Sequence, residues 1–186
     1  MRRTESVKGI YIHEKAQIRC ISAIVSGDRI DLPDMPGIYA FWWTASRGKL
    51  LSSNRRMRLK GPRAIWIPIE LRDWWPSDTQ YPCLYVGKTT NIKRRFSLHL
   101  KRGFRERLHF IPKSNDKLRP VTTSCQLRYG IEHIFRSSTN PLGIIEDDVS
   151  FSFQTDGVAA NVTERFYMED LLIGTWRPWF NIDSER

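Results

Sequence analysis

The sequence predicts a mixed α/β (α+β) fold in one domain spanning residues 1–186, and three observations carry that prediction. Short runs dense in β-branched and aromatic residues, Gly37 to Trp43 and Cys83 to Val86, read as buried strands. Other apolar residues recur at helical spacing: Ile92, Phe96 and Leu100 at i, i+4 and i+8, then Leu127, Ile131, Ile134 and Phe135. The 186 residues are 40% hydrophobic, enough for a core of their own and too apolar for wholesale disorder.

Taken in order, residues 1–8 are polar and basic and read as a loose lead-in. From Gly9 to Ile30, two short apolar runs suit a strand followed by a second strand or a short helix. Pro33 and Pro36 make a turn-rich approach to the aromatic strand at 37–43. Ser46 to Gly61 is a polar, basic connection, either a long hairpin arm or a loop that orders on a ligand. Ala64 to Leu71 is strand-like, and Pro68 pushes it to a sheet edge. Gly87 breaks the next strand, and Asn91 caps the helix that carries Ile92, Phe96 and Leu100. Gly103 to Pro120 is basic, with breakers and little periodicity, and Thr122 to Phe135 is helical. Asn140 to Gly143 reads as a turn and Val149 to Phe153 as a weakly alternating strand. Asn161 opens the last helix with Glu164 at the capping-box position, and Gly174 closes it. The aromatic tail Trp176 to Asn181 is extended and must pack against something.

A formal charge of +10 and a pI of about 9.9 favour polyanionic partners. The charge is clustered. From Arg47 to Arg63 there are seven Lys/Arg and no acid, and from Lys88 to Arg119 there are eleven against two. From Asn140 onward the sign reverses. The basic half is therefore a candidate phosphate-binding face. Three cysteines, Cys20, Cys83 and Cys125, with no C-x-x-C pair, suggest neither a disulfide framework nor a zinc site. No apolar run reaches membrane-spanning length and no secretory leader stands before residue 30, so a soluble, cytoplasmic protein is expected.

The candidate chemistry lies in three pieces. Tyr39 sits in the aromatic strand; taken singly, such a tyrosine is ordinarily core. Tyr85 ends the next strand, and Arg95 and His99, four apart on the following helix, project from one face a turn apart. A fixed cation, a titratable imidazole and a phenol suit work on a phosphate. Glu169 has Val162, Phe166, Leu172 and Ile173 as helix neighbours, which turns its carboxylate toward the buried side. A buried carboxylate is costly unless paired or metal-bound.

Together these residues resemble the GIY-YIG nuclease family. The match runs through Gly37, Ile38 and Tyr39, then Tyr85, Val86 and Gly87, then Arg95 with His99, Glu169, and Asn181 after Pro178, Trp179 and Phe180. Gly9, Ile10 and Tyr11 repeat the first motif, but Pro36 and the aromatic strand favour Tyr39. The family's two tyrosine motifs usually lie about ten residues apart; here 46 separate them, so residues 44–80 form an insertion. That insertion, the stretch from Cys125 to His133 and the aromatic ending resemble the family's type II restriction endonucleases.

The resemblance implies a small antiparallel three-stranded central sheet flanked by helices, with an inserted basic loop and strand region. It implies a Mg²⁺-dependent endonuclease, with Mn²⁺ as a substitute, cutting double-stranded DNA at a palindromic, GC-rich site as a homodimer or higher homo-oligomer. Glu169 would hold the metal, whose other ligands would be waters and a phosphate oxygen. Tyr39 would act as general base or water-positioning group, with His99 accepting or relaying its proton. Arg95 would neutralise the phosphate, and Tyr85 would hydrogen-bond beside it or orient the base. Asn181 would contact the DNA backbone or hold the tail against the site. DNA contacts are expected from Lys88, Arg55, Arg56, Arg58, Lys60, Arg94, Arg102, Gln126 and Arg128. Two other readings remain: a mobile-element or repair-type nuclease of the same chemistry, and a nucleic-acid-binding module without activity.

Overall fold

The computed structural model of the chain describes residues 9–26, 29–60, 66–101 and 126–182. Ile10 and Ile12 are buried, but they lie outside any sheet, and Tyr11 between them is exposed. The rival tyrosine motif is thus not on a strand. Then come β1 (Arg19–Cys20), a single-turn helix α1 (Ile21–Ile24), β2 (Val25–Ser26) and β3 (Arg29–Ile30). Ile21 and Ile24, three apart, put one buried face of α1 on the core.

The central strand is β4 (Gly37–Trp43), buried at all seven positions. Its neighbours are β7 (Cys83–Thr89) and β8 (Val149–Gln154), both antiparallel to it. The sheet order is β1-β8-β4-β7, four strands rather than the three expected. The added strand is β1, paired through Arg19↔Phe151 and Cys20↔Ser150. Two residues show no alternation in sequence; only the free edge of β8 makes them a strand.

Within the insertion, α2 (Arg47–Leu51) is capped by the Ser46 hydroxyl, which accepts from Lys49 N at 3.3 Å. It leads into a two-stranded ribbon, β5 (Arg56–Lys60) and β6 (Trp66–Glu70), with Pro68 opposite Arg58. In a two-stranded ribbon both strands are edges, which tolerates the proline. Leu50, Met57, Leu71 and Trp75 join the same buried cluster as β4.

Helix α3 (Ile92–Lys101) buries Ile92, Phe96 and Leu100, and the Asn91 side chain accepts from Arg94 N at 2.7 Å. In α4 (Gln126–Ile134), Leu127, Ile131 and Ile134 face inward. The segment Gly103 to Pro120, Arg102 and the first residues of the expected 122–135 helix lie outside the described residues.

Three boundaries differ from the sequence-based expectation. Gly87 does not break its strand: β7 runs on to Thr89, because Gly87, Lys88 and Thr89 continue the ladder opposite Tyr39, Ile38 and Gly37. Asn140 to Gly143 is not a turn but the start of α5 (Pro141–Asp148). Asn140 accepts from Gly143 N at 3.0 Å, and Pro141 takes the first helical position, where its missing N–H costs nothing. Gly174 does not close the last helix. Helix α6 (Val162–Trp176) runs on and ends at Arg177, which takes the left-handed conformation with φ 50°. Trp176 is buried, and its packing outweighs the glycine's preference for ending a helix. The tail turns into a short 3₁₀ segment at Trp179–Asn181 with Trp179 and Phe180 buried. The ring of Phe180 lies where a Cβ on Gly130 of α4 would be. Among the described residues no helix is long and apolar enough to cross a membrane.

Candidate active site

Tyr39 faces Gly87 across the β4–β7 pair. A Cβ on Gly87 would collide with the Tyr39 hydroxyl and with the ring of Tyr85. The glycine that ends the tyrosine motif therefore makes room for one phenol to lie across the neighbouring strand.

The Tyr39 hydroxyl lies 2.9 Å from His99 Nε2, and both side chains are buried. The Tyr85 ring stands 4.8 Å from the His99 ring and 6.0 Å from that of Tyr39, centroid to centroid. On its other side His99 Nδ1 faces the Leu127 backbone N–H at 3.5 Å. An N–H can only donate, so Nδ1 accepts and the ring proton sits on Nε2, which donates to the Tyr39 oxygen. Burial, with a smaller push from Arg95, lowers the His99 pKa to about 3. His99 thus orients the phenol as a neutral donor, and the expectation that it accepts the Tyr39 proton does not fit this arrangement.

Burial is also the largest influence on Tyr39, pushing its pKa well above 10. Tyr85 raises it further, by charge and by a hydrogen bond; Arg95 lowers it, and Glu169 raises it slightly. These influences bring residues from β4, β7, α3 and α6 into one electrostatic neighbourhood.

Glu169 reaches the site differently from what its helix neighbours imply. Val162 and Phe166 are 73% and 55% exposed, so the apolar stripe does not bury the carboxylate. Strand β7 does. Glu169 Oε1 accepts the Lys88 backbone N–H at 2.9 Å, and Oε2 forms an ion pair with Lys88 Nζ. The Glu169 side chain is left 16% exposed and that of Lys88 31%. The Lys88 ammonium also lies 4.1 Å from the centre of the Phe166 ring. In this structure Lys88, expected on DNA, is committed to Glu169.

Asn181 clasps the same strand. Its side-chain oxygen accepts from Val86 N and its amide donates to Val86 O, each at 2.7 Å. Of its two expected roles, the structure shows it holding the tail. The physical reason for both contacts is that β7 is a sheet edge. Its outward N–H and C=O groups need partners, and Glu169 and Asn181 stand in for a missing strand.

The remaining residues scatter. Arg94 is exposed on α3, Arg56 is exposed and Arg55 half-buried at the base of the ribbon, and the backbones of Arg58 and Lys60 lie in β5. Gln126 begins α4. Arg128 is a correction: it is wholly buried, donating from Nε to Glu132 at 2.9 Å and from a terminal N–H to Leu100 O at 2.9 Å. An interior arginine paired to an acid one turn along its own helix ties α4 to α3 and does not face DNA. What sequence reasoning missed is Lys88 as the partner of Glu169. Its place directly after the glycine of the second tyrosine motif was the available signal.

Comparison of the chain with family models, with curated proteins and with solved structures finds no match.

Proposed function

We propose that this chain is a divalent-cation-dependent phosphodiesterase acting on DNA. More particularly, we read it as a GIY-YIG nuclease of the type II restriction kind, cutting double-stranded DNA at a palindromic site as a homo-oligomer. On that reading β8, β4 and β7 are the three core strands and β1 is an addition. The observation that supports it most is the convergence around the Tyr39 hydroxyl. Tyr85, Arg95, His99 and Glu169, drawn from three elements (β7, α3 and α6), all act on that one oxygen of β4.

The donor set suits Mg²⁺, with Mn²⁺ as a substitute. Mg²⁺ sites typically use one or two carboxylates, with water and substrate phosphate completing the shell. Glu169 offers one carboxylate, and it already holds a cation, the Lys88 ammonium. Among the described residues no cluster of three acids, histidines or cysteines exists, so a closed all-protein cage is not the type of site expected. When bound by Glu169, the ion would supply charge stabilisation to the departing O3′.

The chain's own residues do the rest. His99 fixes the Tyr39 phenol by donating to its oxygen, leaving the phenolic proton directed away from the ring. Burial keeps the phenol protonated, so Tyr39 acts as the water-positioning group and aligns the attacking water with the phosphorus. Arg95 balances charge on the phosphate. Tyr85 steadies Tyr39 and borders the same space. Lys88 exchanges Glu169 for phosphate once substrate enters. The ribbon of the 44–80 insertion, with Arg55 and Arg56 at its base, is the proposed backbone-binding arm.

Incubating the purified protein with plasmid and Mg²⁺ tests this. Discrete fragments are expected. Nicks or cutting of branched substrates would favour a repair or mobile-element role, and binding without cutting would overturn the enzymatic reading.

A further inference from the structure

Beyond the cluster around Tyr39, α6 leads to a concavity. A cleft of about 540 Å³ opens at the C-terminal end of the helix, lined by Trp74, Ile173, Arg177, Pro178, Asn181 and Ile182. Clefts of this size accommodate small organic groups. Its lining is largely apolar, with one permanent cation at its rim.

Three features tie this cleft to the site. Ile173 follows Glu169 by four residues, so the cleft begins about one helical turn along the same face. Asn181 lines it while its side chain clasps Val86, next to Tyr85. Trp74 brings in the insertion: its indole N–H donates to Arg177 O at 2.9 Å.

Arg177 itself is unusual. It holds φ 50°, ψ 55°, a left-handed cap where glycine is the ordinary choice. A non-glycine residue there is strained, and an observed strain of this kind points toward a use for the side chain. Among the described residues the guanidinium makes a single hydrogen bond, at 3.4 Å to Trp74 O, and no ion pair with an acid. The chain thus keeps an arginine in a glycine's place beside an apolar cleft in a strongly basic protein.

We propose that this cleft is a nucleotide subsite. It takes the base and sugar of a DNA nucleotide swung out of the duplex close to the scissile phosphate, against Trp74 and Pro178, while Arg177 neutralises that nucleotide's phosphate. An aromatic wall with a basic rim is the arrangement that holds nucleotides without reading their sequence. The proposal rests on the phosphodiesterase reading and extends it by naming where the strand beside the cut is gripped.

The test uses Arg177→Gly and Arg177→Asn, two residues that accept the left-handed conformation. Melting temperature, affinity for a labelled DNA duplex without divalent cation, and the salt dependence of that affinity are measured for each. Both variants should melt no lower than the unaltered protein. Both should bind DNA about tenfold more weakly, with the slope of log K against log salt reduced by about 0.9, the contribution of one phosphate. An abasic nucleotide moved along the oligonucleotide should weaken binding at one position. That weakening should vanish in Trp74→Ala. Folded Arg177 variants with unchanged affinity and slope would overturn the subsite, whether or not the protein cuts. Conversely, weakened binding by these variants in a protein that does not cut DNA would retain the subsite and sink only the enzymatic reading.

Discussion

The two sides of strand β7 hold their polar groups in opposite ways. On the side facing β4, the Tyr39 phenol and the His99 imidazole are neutral, joined by a hydrogen bond and packed ring against ring with Tyr85. On the outer edge, Glu169 and Lys88 are charged, partly exposed and paired with each other. The first arrangement is costly to change, because removing one partner strands another in a dry interior. The second exchanges readily, since water and ions reach it. Catalysis on a phosphate needs both: a rigid group that places the attacking atom, and a carboxylate free to trade one cation for another.

The contrast can be broken most sharply at Glu169. Glu169→Gln should reduce DNA cutting by about 10³-fold or more, the scale seen when a group that stabilises transition-state charge is removed. Its melting temperature and DNA affinity should change little. A variant that cuts at the unaltered rate would remove Glu169 from the chemistry.

Tyr39→Phe should do the reverse with respect to stability. Cutting should fall by about 10²-fold or more. Urea denaturation should show a destabilisation of about 1–3 kcal/mol, because the His99 Nε2–H keeps no acceptor. Equal stability of the Phe variant would mean that the phenol is not held as described.

Acid should expose the buried side next. His99 has a folded pKa near 3 against about 6.5 unfolded, so between those values the unfolded chain binds the proton and the native one does not. Its contribution is therefore present above about pH 6.5 and is lost as pH falls, by about 1.4 kcal/mol for each unit. Denaturation series at descending pH should show this slope, and His99→Gln should flatten it. An unchanged slope in that variant would assign acid sensitivity elsewhere.

The smallest effect concerns the insertion, which stands apart from both sides of β7. Replacing Arg55, Arg56 and Arg58 together with Gln should leave folding intact and weaken DNA binding, lowering the salt slope by about 0.9 for each phosphate that is no longer neutralised. Electrophoretic mobility shifts at several salt concentrations measure this. An unchanged slope would show that the ribbon stays off the DNA.

The strand at 37–43, the first half of the strand at 83–89, the α3 stripe and the Asn91 and Asn161 caps were legible in sequence, because each depends on neighbours within a few positions; the continuation of β7 past Gly87 was not, since it depends on pairing with β4. The spacing of Arg95 and His99 was legible for the same reason. The extent of α6 was not: its end depends on Trp176 packing against distant residues such as Trp42, at 5.0 Å between ring centroids. The burial of Glu169 was read correctly in direction but for the wrong cause, since its own helix neighbours Val162 and Phe166 face solvent. Arg128 looked like one more cation in a basic segment until α4 turned it into the interior.

The sequence by itself determined helices α3, α4 and α6, the aromatic strands, the basic insertion and the set of phenol, imidazole, guanidinium and carboxylate. Periodicity, capping and side-chain chemistry are local properties and survive without coordinates. Only the tertiary structure decided which of those groups meet. Sheet pairing brings Tyr39 over Gly87, and the unpaired edge of β7 draws in Glu169 and Asn181 from the far end of the chain. A free backbone N–H or C=O at a sheet edge must find a partner, and no pattern in the sequence says which residue, some eighty or ninety positions away, will supply it.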